Sequence, residues 1–191
     1  MKKSFVFVVI LCLLVCLAAC TPQQGSEQLN EKLKANYSQI SLSVTTKYLG
    51  ETLTSTVTTT TEGDVSTVTY SIQQFATFNE GIPESLIVTK QGTLTVEKGV
   101  ITSIDGDEAD IDVSGVSAGN LSFDDNYFKN ANLTATQFTA EVSAPAAFLG
   151  TAVQCSDMKV SATFDKTFVK TIVITYTADG AEVTYSYQFT A

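Results

Sequence analysis

Polar and apolar residues alternate along most of this chain. From Ile40 onward, Leu42 and Val44 are separated by serines and threonines, and the same period of two returns through most of the sequence up to its C-terminus. Successive side chains of a strand point to opposite faces, so this pattern predicts strands. They are expected over 40–48, 52–61, 65–75, 86–90, 93–97, 100–104, 109–113, 131–142, 157–164, 168–177 and 182–190. Turn chemistry separates several of them, at Leu49-Gly50-Glu51, Glu62-Gly63-Asp64, Gln91-Gly92, Lys98-Gly99 and Asp179-Gly180. Connections this short require antiparallel neighbours, because a parallel crossover needs a dozen residues or more. The expected fold class is mainly β (a β-rich α+β chain), built as a long antiparallel meander.

Before the strands the period is different. Leu29, Leu33, Tyr37 and Ile40 recur at helical spacing behind Ser26, which reads as the N-cap of one amphipathic helix. Short helical turns are expected over Asp124–Lys129, with acids at the start, and over Ser143–Gly150, with an early Pro145 and a terminal glycine. One helix and two turns cannot cover a long sheet unless it curves onto itself, so a strongly curved sheet or half-barrel is expected. The run Val68–Phe75 also echoes Val183–Phe189, each after a glycine turn and a Thr/Val-rich strand. Either a duplication or convergence among strands built from Val, Thr and Tyr accounts for that echo.

The N-terminus carries a third pattern. Lys2 and Lys3 precede a thirteen-residue apolar run, Phe5 to Leu17, which ends in Leu17-Ala18-Ala19-Cys20. Thirteen residues are too few for a transmembrane span of about 20, and small residues before a cleavage point mark an export signal. With a cysteine at that point, the tetrad resembles the lipobox of bacterial lipoproteins. The resemblance implies cleavage between Ala19 and Cys20 and a diacylglyceryl group on the Cys20 sulfur. Ordinary secretion, or an uncleaved anchor, is the alternative. The implied organisation is a signal peptide at 1–19, a lipidated cysteine and tether at 20–25, and a single β-rich domain at 26–191. At no more than about 3.6 Å per residue, Thr21 to Gly25 would hold that domain within roughly 20 Å of the membrane.

Charge and cysteines narrow the partners. The chain of 191 residues has a net charge of −9, and losing residues 1–19 with Lys2 and Lys3 leaves 172 residues at −11. Phosphates would repel such a chain, so no nucleic acid is expected, and an anionic bilayer would repel it too. Its expected attachment is the lipid, in the cell membrane or outer membrane, with the domain outside the cytoplasm. Two acyl chains at about 0.8 kcal/mol per buried methylene make a durable anchor. Cys12 and Cys16 leave with the signal peptide, so Cys155 is the one remaining thiol, with no intramolecular disulfide to form. Nothing basic adjoins it in sequence, and a buried, inert cysteine is expected.

Candidate chemistry is sparse. The absence of histidine removes Ser-His-Asp and Cys-His nucleophilic schemes and histidine-bound metals. A Ser-x-x-Lys spacing occurs at Ser156–Lys159, but residues three apart in an alternating strand are expected on opposite faces. Asp105-Gly106-Asp107-Glu108-Ala109-Asp110-Ile111-Asp112 is dense in oxygen donors, yet the calcium-loop pattern fails at its fifth, sixth and twelfth positions, where Ala109, Asp110 and Val116 stand. A solvated acidic hairpin is expected instead. Asp124/Asp125 and Glu80/Glu84 are the carboxylate pairs a glycosidase would need, without a supporting spacing. The expectation is a protein without enzymatic activity, cofactor or metal.

The order of elements, an amphipathic helix, a long antiparallel meander and short late helices, resembles the lipoprotein-carrier (LolA/LolB-like) family over residues 26–190. That family's curved sheet forms an open half-barrel whose apolar concave face holds acyl chains. The resemblance implies an envelope lipoprotein that binds lipid or another apolar ligand in a curved sheet. The competing expectation, from another class, is a structural or protein-interaction module with a filled core, partnered by an envelope protein.

Overall fold

The computed structural model describes residues 23–75, 87–98, 100–107, 121–150 and 152–191. Helix α1 (Gln23–Leu33) is followed by strands β1 (Gln39–Tyr48), β2 (Glu51–Glu62), β3 (Val65–Phe75), β4 (Ile87–Glu97) and β5 (Val100–Gly106). A 3-10 turn (Asp125–Tyr127) then leads into β6 (Phe128–Leu133), β7 (Gln137–Val142), helix α2 (Pro145–Leu149), β8 (Ser156–Phe164), β9 (Val169–Ala178) and β10 (Ala181–Thr190).

All ten strands form one antiparallel sheet in the order β5-β4-β3-β2-β1-β10-β9-β8-β7-β6. The meander is therefore two five-strand meanders, joined where β1 pairs with β10 from Gln39↔Thr190 to Lys47↔Glu182. β5 and β6 are the outer strands, and the curved sheet stays open. The echoing segments lie in β3 and β10. Both three-strand runs, β1–β3 and β8–β10, add strands in the same lateral direction, yet β1 and β8 run in opposite senses. Runs of opposite hand on a shared face are not duplicates of one unit. The common Val-x-Tyr pattern is what that face asks of either strand.

Several boundaries differ from the pattern-based reading. Helix α1 starts at Gln23, so Ser26 is a buried residue within it rather than its cap, and Gln23–Gly25 are helical rather than tether. It ends at Leu33, although Tyr37 and Ile40 continue onto the same core. The segments 86–90 and 93–97 are one strand, with Gln91-Gly92 inside it. The segment 131–142 is two strands, divided at Thr134, whose hydroxyl accepts from the backbone N–H groups of Thr136 and Gln137. Asp124 caps the 3-10 turn, but Phe128 and Lys129 already belong to β6. In α2 the early proline and the left-handed Gly150 stand as expected, while Ala144 occupies the cap position without a side-chain bond. The expected strand 109–113 lies outside the described residues.

The two faces of the sheet differ throughout. Cross-strand register places Tyr70, Val57, Leu42, Tyr187, Ile172, Ala162 and Phe138 in one row, and Leu94, Val68, Thr59, Ile40 and Phe189 in the next. The opposite face carries Ser41, Thr58, Thr69 and Thr93 in the same way. Over β7–β10 the apolar face is largely covered, while Leu133 on the outer strand β6 stays exposed. Leu29 of α1, Phe148 of α2 and Phe123 press onto it, with the Phe123 ring edge-on to Phe138 and Phe148 at 5.8 and 5.4 Å. Each such aromatic pair adds about 0.5–1.5 kcal/mol to the area buried. The Tyr37 hydroxyl ties the chain after α1 to β9, donating to the Lys32 carbonyl at 2.8 Å and accepting from the Val169 N–H at 3.0 Å.

Candidate functional site

The β1–β5 half is built differently. Its buried cluster is Val68, Tyr70 and Leu94, with Val57, Ile72 and Val96 packed against it, and among the described residues it contains no helical one. Tyr70 organises the end of this cluster. Its ring lies across Gly92, its partner on β4, and its hydroxyl donates to the Asp107 carbonyl. A Cβ on Gly92 would come within 2.7 Å of the Tyr70 ring and 2.6 Å of the Asp105 carbonyl, so glycine is required there. The residue that looks like a hairpin turn in the sequence is a seat for an aromatic ring.

Beyond that cluster the same apolar face continues to the edge strand. Ile101 pairs with Val96 and Ile104 with Leu94, a bulge between them keeping both isoleucines on that face. Ile101 is 46% exposed and Ile104 60%, whereas Leu94 beside them is 6% exposed. Every residue of β5 is exposed. An uncovered apolar edge next to a buried cluster is the molecule's clearest candidate binding surface among the described residues.

A cleft elsewhere on the molecule has another character. About 780 Å³ in volume, it lies between the start of α1 and the 3-10 turn, and is lined by Ser26, Glu27, Asn30, Asp124, Asp125 and Asn126, with the edges of Phe123 and Phe128. Its polar groups are partly engaged with one another. Asn30 grips the Phe123 backbone at both its N–H and its carbonyl, and the Asp124 carboxylate accepts from the Asn126 backbone and side chain. Asp124 is thus a capping residue, adjacent to Asp125 in a single turn. Glu80 and Glu84 lie outside the described residues.

The other residues singled out by their chemistry do not converge on a site. Asp105 sits in β5 opposite Thr93, and the Asp107 carboxylate accepts the Gln91 N–H at 3.1 Å, closing the end of the β4–β5 pair. Glu108 to Asp112 lie outside the described residues. Among those described, no three acidic or cysteine side chains gather as a metal site. Ser156 and Lys159 are not on opposite faces: a bulge at the left-handed Asp157 brings them opposite Thr177 and Thr175, on one face. Both are exposed, and no hydrogen bond joins them. Cys155 is half-buried rather than buried, packed at the margin of the larger core, and burial pushes its thiol above the usual range. A thiol held protonated is a poor nucleophile.

Tyrosines carry the clearest perturbations. Burial pushes Tyr187 up to about 12, with a smaller contribution from Tyr185. Tyr176, stacked on Tyr185 at 6.0 Å, is raised by burial first and by the neighbouring Tyr185 hydroxyl second. Both are raised because an apolar face disfavours the phenolate.

No family model fits the sequence, and no curated protein matches it. Leu17, Ala18, Ala19 and Cys20 lie outside the described residues. No helix among those described is long and apolar enough to cross a membrane.

Proposed function

We propose that this is a non-enzymatic envelope lipoprotein, held to the cell membrane or outer membrane through lipid on Cys20, that binds a lipid or another apolar ligand on the open half of its sheet. The observation that carries the binding reading is the exposure of Ile101 and Ile104 on the face that buries Val68, Tyr70 and Leu94. A ligand there would extend an existing apolar cluster instead of creating one. Burying both isoleucines would contribute about 1.5–3 kcal/mol for each side chain fully covered. The open sheet, with helices on one half of its apolar face, also fits the resemblance to the lipoprotein-carrier family.

The anchoring reading is supported by the helix boundary. With α1 starting at Gln23, Thr21 and Pro22 separate it from Cys20, three Cα steps with a reach of no more than about 11 Å. A domain held that close meets whatever the membrane surface presents.

The second reading, a protein-interaction module, is favoured by the filled core of the β6–β10 half and the polar lining of the cleft between α1 and the 3-10 turn. Native mass spectrometry of the full-length lipidated protein separates the two. The ligand reading expects stoichiometric co-purified lipid, lost in Ile101→Asp/Ile104→Asp. A wild-type protein free of any bound hydrophobe rejects it in favour of the interaction module.

A further inference from the structure

Two hairpin tips stand side by side at one end of the sheet. Leu49-Gly50 joins β1 to β2, and Asp179-Gly180 joins β9 to β10, and the pairing of Lys47 with Glu182 makes them neighbours. The two turns have the same geometry: φ is +50° at Leu49 and Asp179, +86° at Gly50 and +80° at Gly180. A two-residue turn with both residues left-handed favours Asn, Asp or Gly at its first position. At 179 the chain supplies that residue. At 49 it supplies a leucine, 85% exposed, beside a Tyr48 that is itself 38% exposed.

A single exposed leucine is ordinary. Leu49 is different because the backbone disfavours it as well, and the adjacent turn demonstrates that the same fold is made with aspartate. Neither solvation nor turn formation favours a leucine there. The surrounding charges identify the kind of partner. Glu51, Asp179 and Glu182 ring the tip with one cation, Lys47, leaving it two charges negative. Against an anionic bilayer, that repulsion is of the same order as the gain from inserting one leucine. A protein pocket with a basic rim makes both contributions favourable.

We propose that Tyr48 and Leu49 form an apolar plug that docks into a pocket rimmed by Lys or Arg on a partner protein. The proposal adds to the protein-interaction reading and depends neither on the ligand face nor on lipid at Cys20.

The test places a photoreactive amino acid at Tyr48 of the full-length protein in its own cells. The expected result is a discrete protein adduct, retained in Leu49→Met and reduced at least tenfold both in Leu49→Asn and in Asp179→Lys/Glu182→Lys. Leu49→Asn is also expected to raise Tm, because asparagine suits the left-handed position, so its loss of adduct would not reflect unfolding. An adduct with lipid, no adduct, or an adduct indifferent to these substitutions overturns the proposal.

Discussion

The side chain of Asn30 holds the backbone of Phe123 from both sides, donating to its carbonyl at 2.7 Å and accepting its N–H at 3.0 Å. One amide on α1 thereby takes the place of a strand neighbour for a segment that has none among the described residues. It also fixes the ring of Phe123 among Phe128, Phe138 and Phe148. Asn30→Ala leaves a part-buried donor and acceptor unpaired, and a loss of about 2–6 kcal/mol is expected from urea unfolding at about 1–3 for each. Asn30→Asp keeps the acceptor and loses the donor, so it should fall between the two.

Thr59 lies on the apolar face between Val68 and Ile40, and its buried hydroxyl has no hydrogen-bond partner among the described residues. Thr59→Val removes the unpaired group at nearly constant volume. Stability should rise by about 1 kcal/mol, read as a higher Tm in calorimetry.

Gly92 and Tyr70 act as a unit. Gly92→Ala drives a methyl group into the Tyr70 ring and the Asp105 carbonyl, a backbone contact that cannot swing away. A loss of about 1–3 kcal/mol is expected, as for other overpacked sites. Adding Tyr70→Ala to Gly92→Ala should cost less than the sum of the single losses. Additive losses in a double-mutant cycle would contradict the packing described.

Alkaline pH tests the tyrosines. Tyr187 is 6% exposed and titrates at about 12 when folded against 10.0 when free, so between those values the unfolded chain has released a proton that the folded one retains. Stability is therefore fully present below pH 10 and falls as pH rises toward 12, by about 2–3 kcal/mol from this residue. Tyr187→Phe should flatten that decline in pH-dependent urea titrations.

The sequence pattern makes most strands legible because one face is apolar and the other rich in serine and threonine, which leaves a period of two with little noise. β1, β3 and β10 are found within a residue of their expected ends. Where the pattern misleads, a local feature has a non-local cause. Gly92 reads as a turn because its reason, the Tyr70 ring, lies on another strand. The hairpin at Thr134 uses a hydroxyl in place of Gly, Asn or Pro and leaves no familiar signal. Tyr37 and Ile40 prolong the helical spacing after α1 has ended because both still face the core it covers. The closure of β1 on β10 joins residues about 150 apart, which no local periodicity encodes. Of the candidate surface, Ile101 and Ile104 fall within an expected strand, but three residues apart they read as lying on opposite faces; the bulge that puts both on one face and the place of β5 as an outer strand are not encoded locally.

The envelope assignment turns on one atom, the sulfur of Cys20. Growing cells on radiolabelled palmitate and recovering the protein interrogates that atom without intermediaries. Label is expected in the wild-type chain and none in Cys20→Ser, which should also retain residues 1–19. An unlabelled wild type, or equal label in both proteins, would contradict the assignment.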